Sequence, residues 1–403
     1  MPLPTPEPSE PMTDLKRHST LLFTSHYTGL GGGESVQLGL MAELIRRGGT
    51  IHLLTPRRGA FVEAAERLGV RSHVLPFRGV STWFVPAVYT RWPVVHPLAD
   101  LLRQTGATLV HSDYHTLPYS VGAAERVGVP VLWNAFGGWF GIKRWQYAFF
   151  RKRVARSIAI TETVRRELLR VPVMPAAAMP VLIPGVDPVR FAPGVVSGDG
   201  VRARLGIDST TPLVSLIGRF QHIKGQDVFI DMARRILHTR PDVHFALAGD
   251  NVFGVSADEQ FKQRLHAEVA ADAQLAARLT FLGFWPDARE VIAASDVIVS
   301  TSRSESLGMA IIEAMAMGRA VVSTRVGGPS ETICDGQTGF LVAAEDAAAF
   351  AERTLELLGD PERRRQIEQA ARAHVESSLT VSRYADQIVA LLNADPALAY
   401  PRR

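Results

Sequence analysis

Short apolar stretches alternate along the chain with longer segments in which apolar residues recur at helical spacing. Residues 19–25 form an apolar stretch that ends at a glycine-rich turn. Residues 36–45 then carry apolar side chains on one broad helical face, and Gly48 and Gly49 end that pattern. Residues 50–55 form the next apolar stretch. The pattern predicts a strand, a helix and a second strand in succession.

The same alternation continues along the chain and restarts after a linker at 193–200, which is rich in glycine, proline and serine. Repeated βα units indicate parallel sheets with helices on both faces. The pattern therefore predicts an α/β protein with two Rossmann-like domains that face each other across a cleft. The predicted strands are 19–25, 50–55, 73–76, 108–111, 129–133 and 157–160 before the linker and 213–217, 244–248, 279–281, 297–300 and 320–323 after it, with helices at 226–238, 288–294 and 309–317.

These segments predict four regions of the chain. A flexible tail at 1–18 precedes a first domain at 19–192 and a second domain at 193–378. Residues 379–393 have a helical period, so 379–403 is predicted to be a C-terminal helix and tail. Packing of that helix back on the first domain is one arrangement that this prediction includes.

The composition excludes several classes of protein. Of 403 residues, 46% are hydrophobic and 21% are charged, which is typical of a globular chain rather than a disordered or fibrous one. No apolar run approaches the roughly 18–20 residues of a membrane span, and the first residues lack the basic and apolar regions of a signal peptide. The single cysteine, Cys334, excludes an intramolecular disulfide and a cysteine-based zinc site. These features predict a cytoplasmic protein.

Charge is distributed unevenly between the two halves. Residues 1–190 contain 22 Lys and Arg against 13 Asp and Glu, whereas the remainder contains 22 against 27. The excess of basic residues in the first half suggests a surface that faces an anionic partner. A solvated basic face without a partner explains the same counts.

A glycine-rich loop lies between the first predicted strand and the first helix, at 29–34. Without Cβ atoms, its backbone amides can approach a diphosphate, and the helix dipole favours the anion. The dinucleotide pattern G-x-G-x-x-G would need glycine where Glu34 stands, so NAD binding is disfavoured. A purely structural tight turn remains the alternative.

Two cations follow the first strand of the second domain. Arg219 comes directly after Gly218 at the end of that strand, and Lys224 opens the next helix. Ligands of α/β proteins bind at the carboxyl ends of strands, where two cations can hold a diphosphate and stabilise it as a leaving group. The alternative is a pair of ordinary surface cations.

Two carboxylates flank a predicted helix start. Glu305 and Glu313 stand on either side of Gly308 and Met309, after the strand at 297–300. Backbone amides at such a helix start can bind an anion, and Glu313 can accept hydrogen bonds from a ribose diol. Carboxylates at this spacing also occur by chance on solvated helices.

Together these segments resemble the retaining glycosyltransferase family 4, which has the GT-B fold. The resemblance covers roughly residues 19–390, keeps the family's motif order and is closer in the second half. It is carried by GGGE at 31–34, IPGVD at 183–187, GRF with KG between 218 and 225, AGD at 248–250, ESLGMAIIE at 305–313, GGPSE at 327–331 and DGQTGFLV at 335–342.

The resemblance implies transfer of a sugar from a UDP-, GDP- or ADP-linked donor to an acceptor hydroxyl with retained anomeric configuration, in cell-surface polysaccharide or glycolipid biosynthesis. It implies catalytic roles for Arg219 and Lys224 at the diphosphate and for Glu305 at the donor sugar. The implied donor-binding residues are Gly31, Gly32, Gly33, Gly218, Phe284, Ser306, Leu307, Gly308, Met309 and Glu313. No metal and no cofactor are expected, because the fold generally works without them and no Asp-x-Asp pair is evident.

One position departs from the family pattern. Many members carry a histidine after the strand equivalent to 129–133, and Phe136 falls there in this chain. His111, His115 and Asn134 are the nearby candidates for a polar contact to the sugar or the acceptor, and His111 is equally explained as a structural residue at a strand end. The departure leaves open which residue of the first domain contacts the sugar.

Aromatic and basic residues are interleaved at 139–156, and Trp83, Phe84, Tyr89 and Trp92 add further aromatics upstream. Such a mixture suits the interface of an anionic bilayer, so peripheral attachment to the inner face of the membrane is one prediction. Aromatic residues in the core beside a solvated basic face are the alternative. Nucleic-acid binding fits the charge but no sequence motif, so no nucleic-acid partner is expected.

Two other functional classes stay open. One is an epimerase that acts on sugar nucleotides with the same two-domain fold and needs no acceptor. The other is a non-catalytic subunit that binds a sugar nucleotide, which the missing histidine would suit. The set Arg219, Lys224, Glu305 and Glu313 argues against a non-catalytic protein.

Overall fold

The computed structural model describes residues 15, 20–80, 85–137, 143–170, 179–251 and 255–398. These residues form two compact units, one made of Met1–Gly185 with Val381–Arg403 and the other of Val186–Thr380. The boundary at which the chain passes from the first unit to the second therefore lies between Gly185 and Val186, before the predicted linker at 193–200. The predicted tail at 1–18 lies outside the described residues except for Leu15.

The first unit is built on a parallel sheet of six strands in the order β3-β2-β1-β4-β5-β6. The order reverses between β1 and β4, which are hydrogen-bonded neighbours. Its elements are β1 Thr20–Thr24, α1 Gly32–Arg46, β2 Thr50–Thr55, α2 Ala60–Arg67, β3 Arg71–Val74, α3 Pro86–Tyr89, α4 Val95–Thr105, β4 Leu109–Ser112, α5 Leu117–Glu125, β5 Val131–Ala135, α6 Arg144–Arg151, β6 Arg156–Ala159 and α7 Glu162–Leu169.

The second unit repeats this topology, with strand order β12-β11-β10-β7-β8-β9 and a reversal between β7 and β10. Its elements are α8 Asp199–Leu205, β7 Leu213–Ile217, a 3₁₀ turn His222–Lys224, α9 Gln226–Thr239, β8 His244–Ala248, α10 Ser256–Ala271, α11 Ala273–Arg278, β9 Leu279–Gly283, α12 Ala288–Ala294, β10 Val297–Ser300, α13 Met309–Ala316, β11 Ala320–Thr324, α14 Pro329–Thr332, β12 Phe340–Val342, α15 Ala347–Gly359 and α16 Pro361–Ser378.

The last long helix, α17 (Val381–Ala394), belongs to the first unit. It packs against α1, where the buried side chain of Arg47 joins the two helices. One guanidinium nitrogen of Arg47 donates to Asp386 at 2.5 Å and another donates to the carbonyl of Ser382 at 3.1 Å. A buried cation with these partners ties the C-terminal segment to residues more than three hundred positions earlier.

The strands of both sheets are largely buried, which is typical of parallel sheets covered by helices on both faces. Each predicted strand overlaps an observed one, with β3 lying two residues before its predicted position. The second sheet contains one strand more than the pattern predicted, the three-residue edge strand β12, which pairs with β11. Within the described ranges, no helix is both long and apolar enough to cross a membrane.

Candidate functional site

Arg219 lies at the carboxyl end of β7, where the order of the second sheet reverses. The backbone before it is anchored by the amide of Gly218, which donates to the carbonyl of Ala248 at 2.9 Å. The backbone at Arg219 itself is held by the buried side chain of Gln226, whose amide nitrogen donates to the Arg219 carbonyl at 2.6 Å. Gly249 lies beside this turn, and a Cβ there would fall 1.9 Å from the carbonyl oxygen of Gly218. The position of Arg219 is therefore fixed by its surroundings.

Lys224 and Glu305 meet at this edge of the sheet. Their side chains form an ion pair with Lys224 Nζ 2.6 Å from Glu305 Oε2, and they are 19% and 15% exposed. The hydroxyl of Ser302 donates to the same carboxylate oxygen at 3.2 Å. The pair unites residues 81 positions apart that the sequence analysis placed on neighbouring loops. A diphosphate bound here would find a cation already held in place.

Thr301 brings the two loops together, and sequence reasoning missed it. Its hydroxyl donates to the carbonyl of Gly225 at 2.7 Å, which fixes the turn that carries Lys224. Gly225 has φ +66°, and a Cβ there would lie 2.1 Å from the carbonyl oxygen of Thr301. The Lys-Gly dipeptide was the available signal, because only glycine tolerates both this dihedral angle and this contact.

The segment from Glu305 to Met309 leads into α13. Gly328 donates its amide to the carbonyl of Glu305 at 3.2 Å, and a Cβ on Gly327 would lie 1.6 Å from that carbonyl oxygen. This close approach explains the paired glycines of the GGPSE motif. Leu307 is buried, so only its backbone can reach a ligand, while Ser306 is half-buried. Gly308 caps α13 at φ +85°, and the first amides of α13 have no partner within the helix.

Glu313 lies one turn further along α13 and is half-buried. Burial raises the pKa of this carboxyl group to about 7, with opposing effects from the positive charges of Arg190 and Arg289 and a further increase from Asp287. Arg289 is itself held by Asp287 at 2.6 Å and donates to the carbonyl of Arg190 at 3.2 Å. A carboxyl group so disposed is suited to bind neutral hydroxyl groups.

Phe284 follows the end of β9 and is 61% exposed. It comes after Gly283, which has φ +68°. The structure shows an exposed aromatic ring at the carboxyl edge of the same sheet as Arg219 and Glu305. Its contact with a nucleotide base stays a prediction, as do the individual roles of the other residues of this unit.

The glycine-rich loop of the first unit, at 29–34, leads into the N-terminus of α1. Gly31 is the N-cap of that helix, and Gly32 and Gly33 form its first turn. A Cβ on Gly33 would meet no atom within 4 Å, whereas one on Gly31 would lie 2.9 Å from a carboxylate oxygen of Glu34. The loop lies at the carboxyl end of β1, and its contact with a diphosphate stays a prediction.

His111 and Asn134 lie in the interior of the first unit rather than at its edge. The His111 ring stacks on Phe23 with centroids 4.3 Å apart, and the Asn134 amide nitrogen lies 3.3 Å from His111 Nε2 and donates to the Tyr384 hydroxyl at 2.8 Å. Burial lowers the pKa of His111 to about 4. The structural interpretation of His111 accounts for its burial, and contact of His111 or Asn134 with the sugar or the acceptor stays a prediction.

His115 does lie at the edge of the first sheet, together with two residues that sequence reasoning missed. His26 follows β1 and Asp113 follows β4, and the three side chains form one cluster. In the sequence, His26 and Asp113 are marked only by their positions just after two predicted strands, at 19–25 and 108–111. Phe136, at the family's histidine position, is half-buried just after β5.

Among the residues that the structure describes, no three His, Cys, Asp or Glu side chains are arranged to hold a metal ion. The expectation that neither a metal nor a cofactor takes part stays a prediction.

Two family models match the chain in sequence order. The model described as Glycosyltransferase Family 4 matches residues 30–190, and the model described as Glycosyl transferases group 1 matches residues 199–374. Each match falls almost entirely within one of the two structural units.

Similar proteins and structures agree with these matches. A D-inositol 3-phosphate glycosyltransferase of Nocardia farcinica is 31% identical over 86% of this chain and 81% of that protein. A GDP-mannose-dependent mannosyltransferase of Corynebacterium glutamicum that acts on a monoacylated phosphatidylinositol monomannoside is 30% identical over 53% of this chain and 55% of that protein.

Two solved structures share the fold. The Anabaena protein HepE in complex with UDP and glucose has a TM-score of 0.79 and 21% identity over 94% of this chain and 100% of its own. A glycosyltransferase from Rickettsia africae has a TM-score of 0.81 and 20% identity over 93% and 99%. With two Rossmann-like sheets, both family models and a relative similar over four fifths of its length, the chain belongs to glycosyltransferase family 4 and is a glycosyltransferase of the GT-B fold.

Proposed function

We propose that this glycosyltransferase moves a sugar from a nucleoside diphosphate donor to a hydroxyl group of a polyol acceptor, with retention of anomeric configuration, in the synthesis of a glycolipid or a surface polysaccharide. One observation carries the proposal: Arg219 and the Lys224–Glu305 pair lie together at the strand reversal of the second sheet. That edge is where open α/β sheets bind their ligands.

The second unit supplies the donor site in this proposal. Arg219 and Lys224 bind the diphosphate, and the amides at the start of α13 add hydrogen bonds to it. Glu313 binds the ribose, and the exposed ring of Phe284 stacks on the base. UDP is the first donor nucleotide to test, since the HepE complexes contain UDP or UDP-glucose.

The Lys224–Glu305 contact gives Glu305 two tasks. Without a donor, its carboxylate neutralises the ammonium group at 2.6 Å. With a donor, Lys224 turns toward the diphosphate and Glu305 accepts hydrogen bonds from the hydroxyls of the sugar. The exchange keeps the half-buried Lys224 paired with an anion in both states, which avoids the free-energy cost of an unpaired charge.

The proposed reaction takes place on one face of the sugar. The acceptor oxygen forms a bond to the anomeric carbon as the bond from that carbon to the phosphate oxygen breaks. The proton of the acceptor hydroxyl moves to the departing phosphate oxygen, so no side chain has to take it. Arg219 and Lys224 lower the barrier by stabilising the negative charge that develops on the diphosphate.

The names of two relatives support a class of acceptor. The names of the two relatives described above specify an inositol 3-phosphate and a glycosylated phosphatidylinositol. Both molecules offer ring hydroxyls, so we propose a cyclitol or sugar hydroxyl as the acceptor of this chain.

Attachment to the surface of an anionic membrane is a further part of the proposal, and α6 supports it. Arg144 and Trp145 are exposed at the start of this helix, with Trp145 46% exposed, and Arg151 and Lys152 are exposed at its end. Of the predicted aromatic residues, Phe150 is buried and does not belong to this exposed set, whereas Trp83, Phe84, Trp139 and Phe140 lie outside the described residues.

Liposome pelleting tests this attachment. We expect anionic vesicles at low salt to pellet more protein than neutral vesicles, and substitution of Arg144, Arg151 and Lys152 by Gln to reduce the difference. Equal pelleting with both vesicle types would contradict the proposal.

The central experiment follows nucleoside diphosphate release from UDP-, GDP- and ADP-sugars. We expect slow release from one donor, loss of that release in Arg219→Ala, and normal release in Arg365→Ala, a control at an exposed arginine of the same unit. No release combined with no thermal stabilisation by any donor would contradict the proposal.

Product analysis separates the alternatives. An isomerised sugar nucleotide formed without an acceptor would identify an epimerase. Donor stabilisation without turnover over a broad acceptor panel would favour a non-catalytic subunit.

A further inference from the structure

Alternate residues of the loop after β10 contact the turn that carries Lys224. Thr301 fixes the backbone of this turn, and Glu305 pairs with the ammonium group of Lys224. Arg303 stands between Thr301 and Glu305 in the sequence. Neither the resemblance to the family nor the proposed reaction gives Arg303 a role, although it makes more contacts around the turn than its two neighbours do.

Arg303 contacts the turn through its backbone and through its side chain. Its amide donates to the carbonyl of Ile223 at 2.8 Å, and Nη1 of its guanidinium group donates to the carbonyl of His222 at 2.6 Å. These two carbonyls belong to the residues directly before Lys224. Because one residue holds two consecutive carbonyl groups, the backbone at Lys224 has little freedom to rotate.

Two carboxylates hold the Arg303 side chain in place. Asp227, in the first turn of α9, accepts from Nη1 at 2.9 Å and from Nη2 at 2.8 Å. Glu345, between β12 and α15, accepts from Nη2 at 2.9 Å. Each terminal nitrogen of a guanidinium group has two N–H groups, so these contacts and the one to His222 use all four. The side chain is 20% exposed, which limits competition from water.

The environment of each carboxylate agrees with a fixed contact. Burial alone would raise the pKa of Asp227, but the hydrogen bonds and the positive charge of Arg303 hold it below its usual range. Glu345 has φ +64°, and among the described residues other than glycine it alone has a positive φ. Backbone strain of this kind persists where the surrounding structure fixes a residue, and Glu345 forms an ion pair with Arg303.

We propose that Arg303 is a positioning residue for the reaction, because it fixes the backbone of the turn so that only the Lys224 side chain moves between Glu305 and the donor diphosphate. The inference rests on the proposed function and extends it to a residue outside the donor contacts. Arg303 does not touch the donor, since both of its terminal nitrogens are occupied. A fixed backbone keeps the ammonium group within reach of the diphosphate and removes the need to order the turn in each cycle.

A double-mutant cycle tests this role through nucleoside diphosphate release at saturating donor. We expect Arg303→Ala to lower turnover about tenfold in the wild-type background and less than about twofold in a Lys224→Ala background. The effects are not additive because a residue that acts through Lys224 has nothing to position once the ammonium group is removed. Equal effects of Arg303→Ala in the two backgrounds, or no effect in either, would overturn the inference.

Arg234 provides the matched control. It lies on α9 of the same unit and is held by three carboxylates, those of Asp231, Glu268 and Asp272, none of which belongs to the turn. Arg234→Ala should lower thermal stability and leave turnover unchanged. Arg303→Lys keeps the charge but not the fork of donors, so its turnover should lie between those of Arg303→Ala and the wild type. Equal losses of turnover in Arg234→Ala and Arg303→Ala would overturn the inference, because a general loss of stability would explain both.

Hydrogen exchange of backbone amides gives a readout that needs no turnover. The amides of Lys224 and Gly225 donate to carbonyls within the turn, so their exchange reports its opening. We expect faster exchange of both amides in Arg303→Ala and wild-type exchange in Arg234→Ala. Unchanged exchange in Arg303→Ala would overturn the inference.

The two proposals fail separately. A wild type that neither releases nucleoside diphosphate nor is stabilised by any donor would refute the proposed function, while faster exchange in Arg303→Ala would still support a turn fixed by this residue. Turnover that depends on Lys224 but not on Arg303 would refute the positioning role alone.

Discussion

The two units share one topology and differ in the chemistry at the same place in it. Both sheets have six parallel strands with one reversal of order, between β1 and β4 in the first and between β7 and β10 in the second. The second reversal carries Arg219 and a lysine–glutamate pair, whereas the first carries a glycine loop and the His26–Asp113–His115 cluster. The fold determines where a ligand binds, and the residues of the strand-end loops determine which ligand.

The two reversals differ in the charge that they carry. In the proposed function, Arg219 and Lys224 of the second unit supply the fixed positive charge that a diphosphate donor needs. The first reversal carries two imidazoles and one carboxylate instead. Substitutions that remove positive charge at the second reversal should therefore have the largest effects on turnover.

The largest effect is expected at the second reversal. Lys224→Ala removes the positive charge proposed to stabilise the leaving diphosphate, and it removes the ion-pair partner of Glu305. Turnover should therefore fall on the order of a hundredfold, about 2.7 kcal/mol. The measurement is nucleoside diphosphate release at saturating donor. An unchanged rate in both Lys224→Ala and Arg219→Ala would contradict the assigned donor site, because neither positive charge would then contribute to turnover.

The next effect concerns the stability of the first unit. Arg47→Ala removes a buried cation that joins α1 to α17, and the free energy of unfolding should fall by about 2 kcal/mol. Urea unfolding followed by circular dichroism measures the change. The exposed Arg58, which pairs with Glu66, is the matched control, and equal effects of Arg58→Ala and Arg47→Ala would contradict this account.

A smaller effect is expected at Phe284. Phe284→Ala removes the exposed ring proposed to stack on the base, and the donor concentration at half-maximal rate should rise about fivefold, near 1 kcal/mol. Phe284→Trp should retain most of the affinity. A fall in turnover at saturating donor, without a change in half-saturation, would place the ring outside the base site.

A different kind of effect, a pH dependence of stability, is expected at Glu313. Its pKa is raised from 4.5 in an exposed peptide to about 7, so between these values the folded chain holds the proton more tightly than the unfolded chain. The free energy of unfolding of the wild type, relative to that of Glu313→Gln, should therefore fall as pH rises through this interval. Urea titrations at both ends of the interval measure the free energy of unfolding of both proteins. The same pH dependence in the wild type and in Glu313→Gln would contradict the raised pKa.

The sequence was sufficient for every described strand except β12, and for placing Arg219 and Lys224 after β7, for a local reason. Buried strands have continuous apolar runs, Arg219 and Lys224 each adjoin a glycine, and Glu305 follows the run at 297–300 within the next loop. The strand β12 was missed because three residues, Phe340–Val342, are too few to form a pattern. Its partner β11 supplies the missing information through pairing, which only the folded sheet contains.

The first unit was harder to predict because its polar residues depend on distant partners. His111 and Asn134 stand near strand ends, yet both are buried, and Asn134 donates to the hydroxyl of Tyr384, 250 positions later in α17. His26 has no motif around it, and its carboxylate partner comes 87 positions later in the chain. Burial and contact at such separations cannot be read from local spacing.

The membership of α17 in the first unit has a consequence for synthesis on the ribosome. The second unit is continuous, so it can fold as soon as its last strand and helices have emerged. The first unit begins earlier but lacks α17 until the whole second unit has been made, which leaves the apolar face of α1 without its partner helix and Asn134 without the Tyr384 hydroxyl. The unit that is made first is therefore completed last, and the nascent chain must keep that face from aggregating until residue 394 has left the exit tunnel.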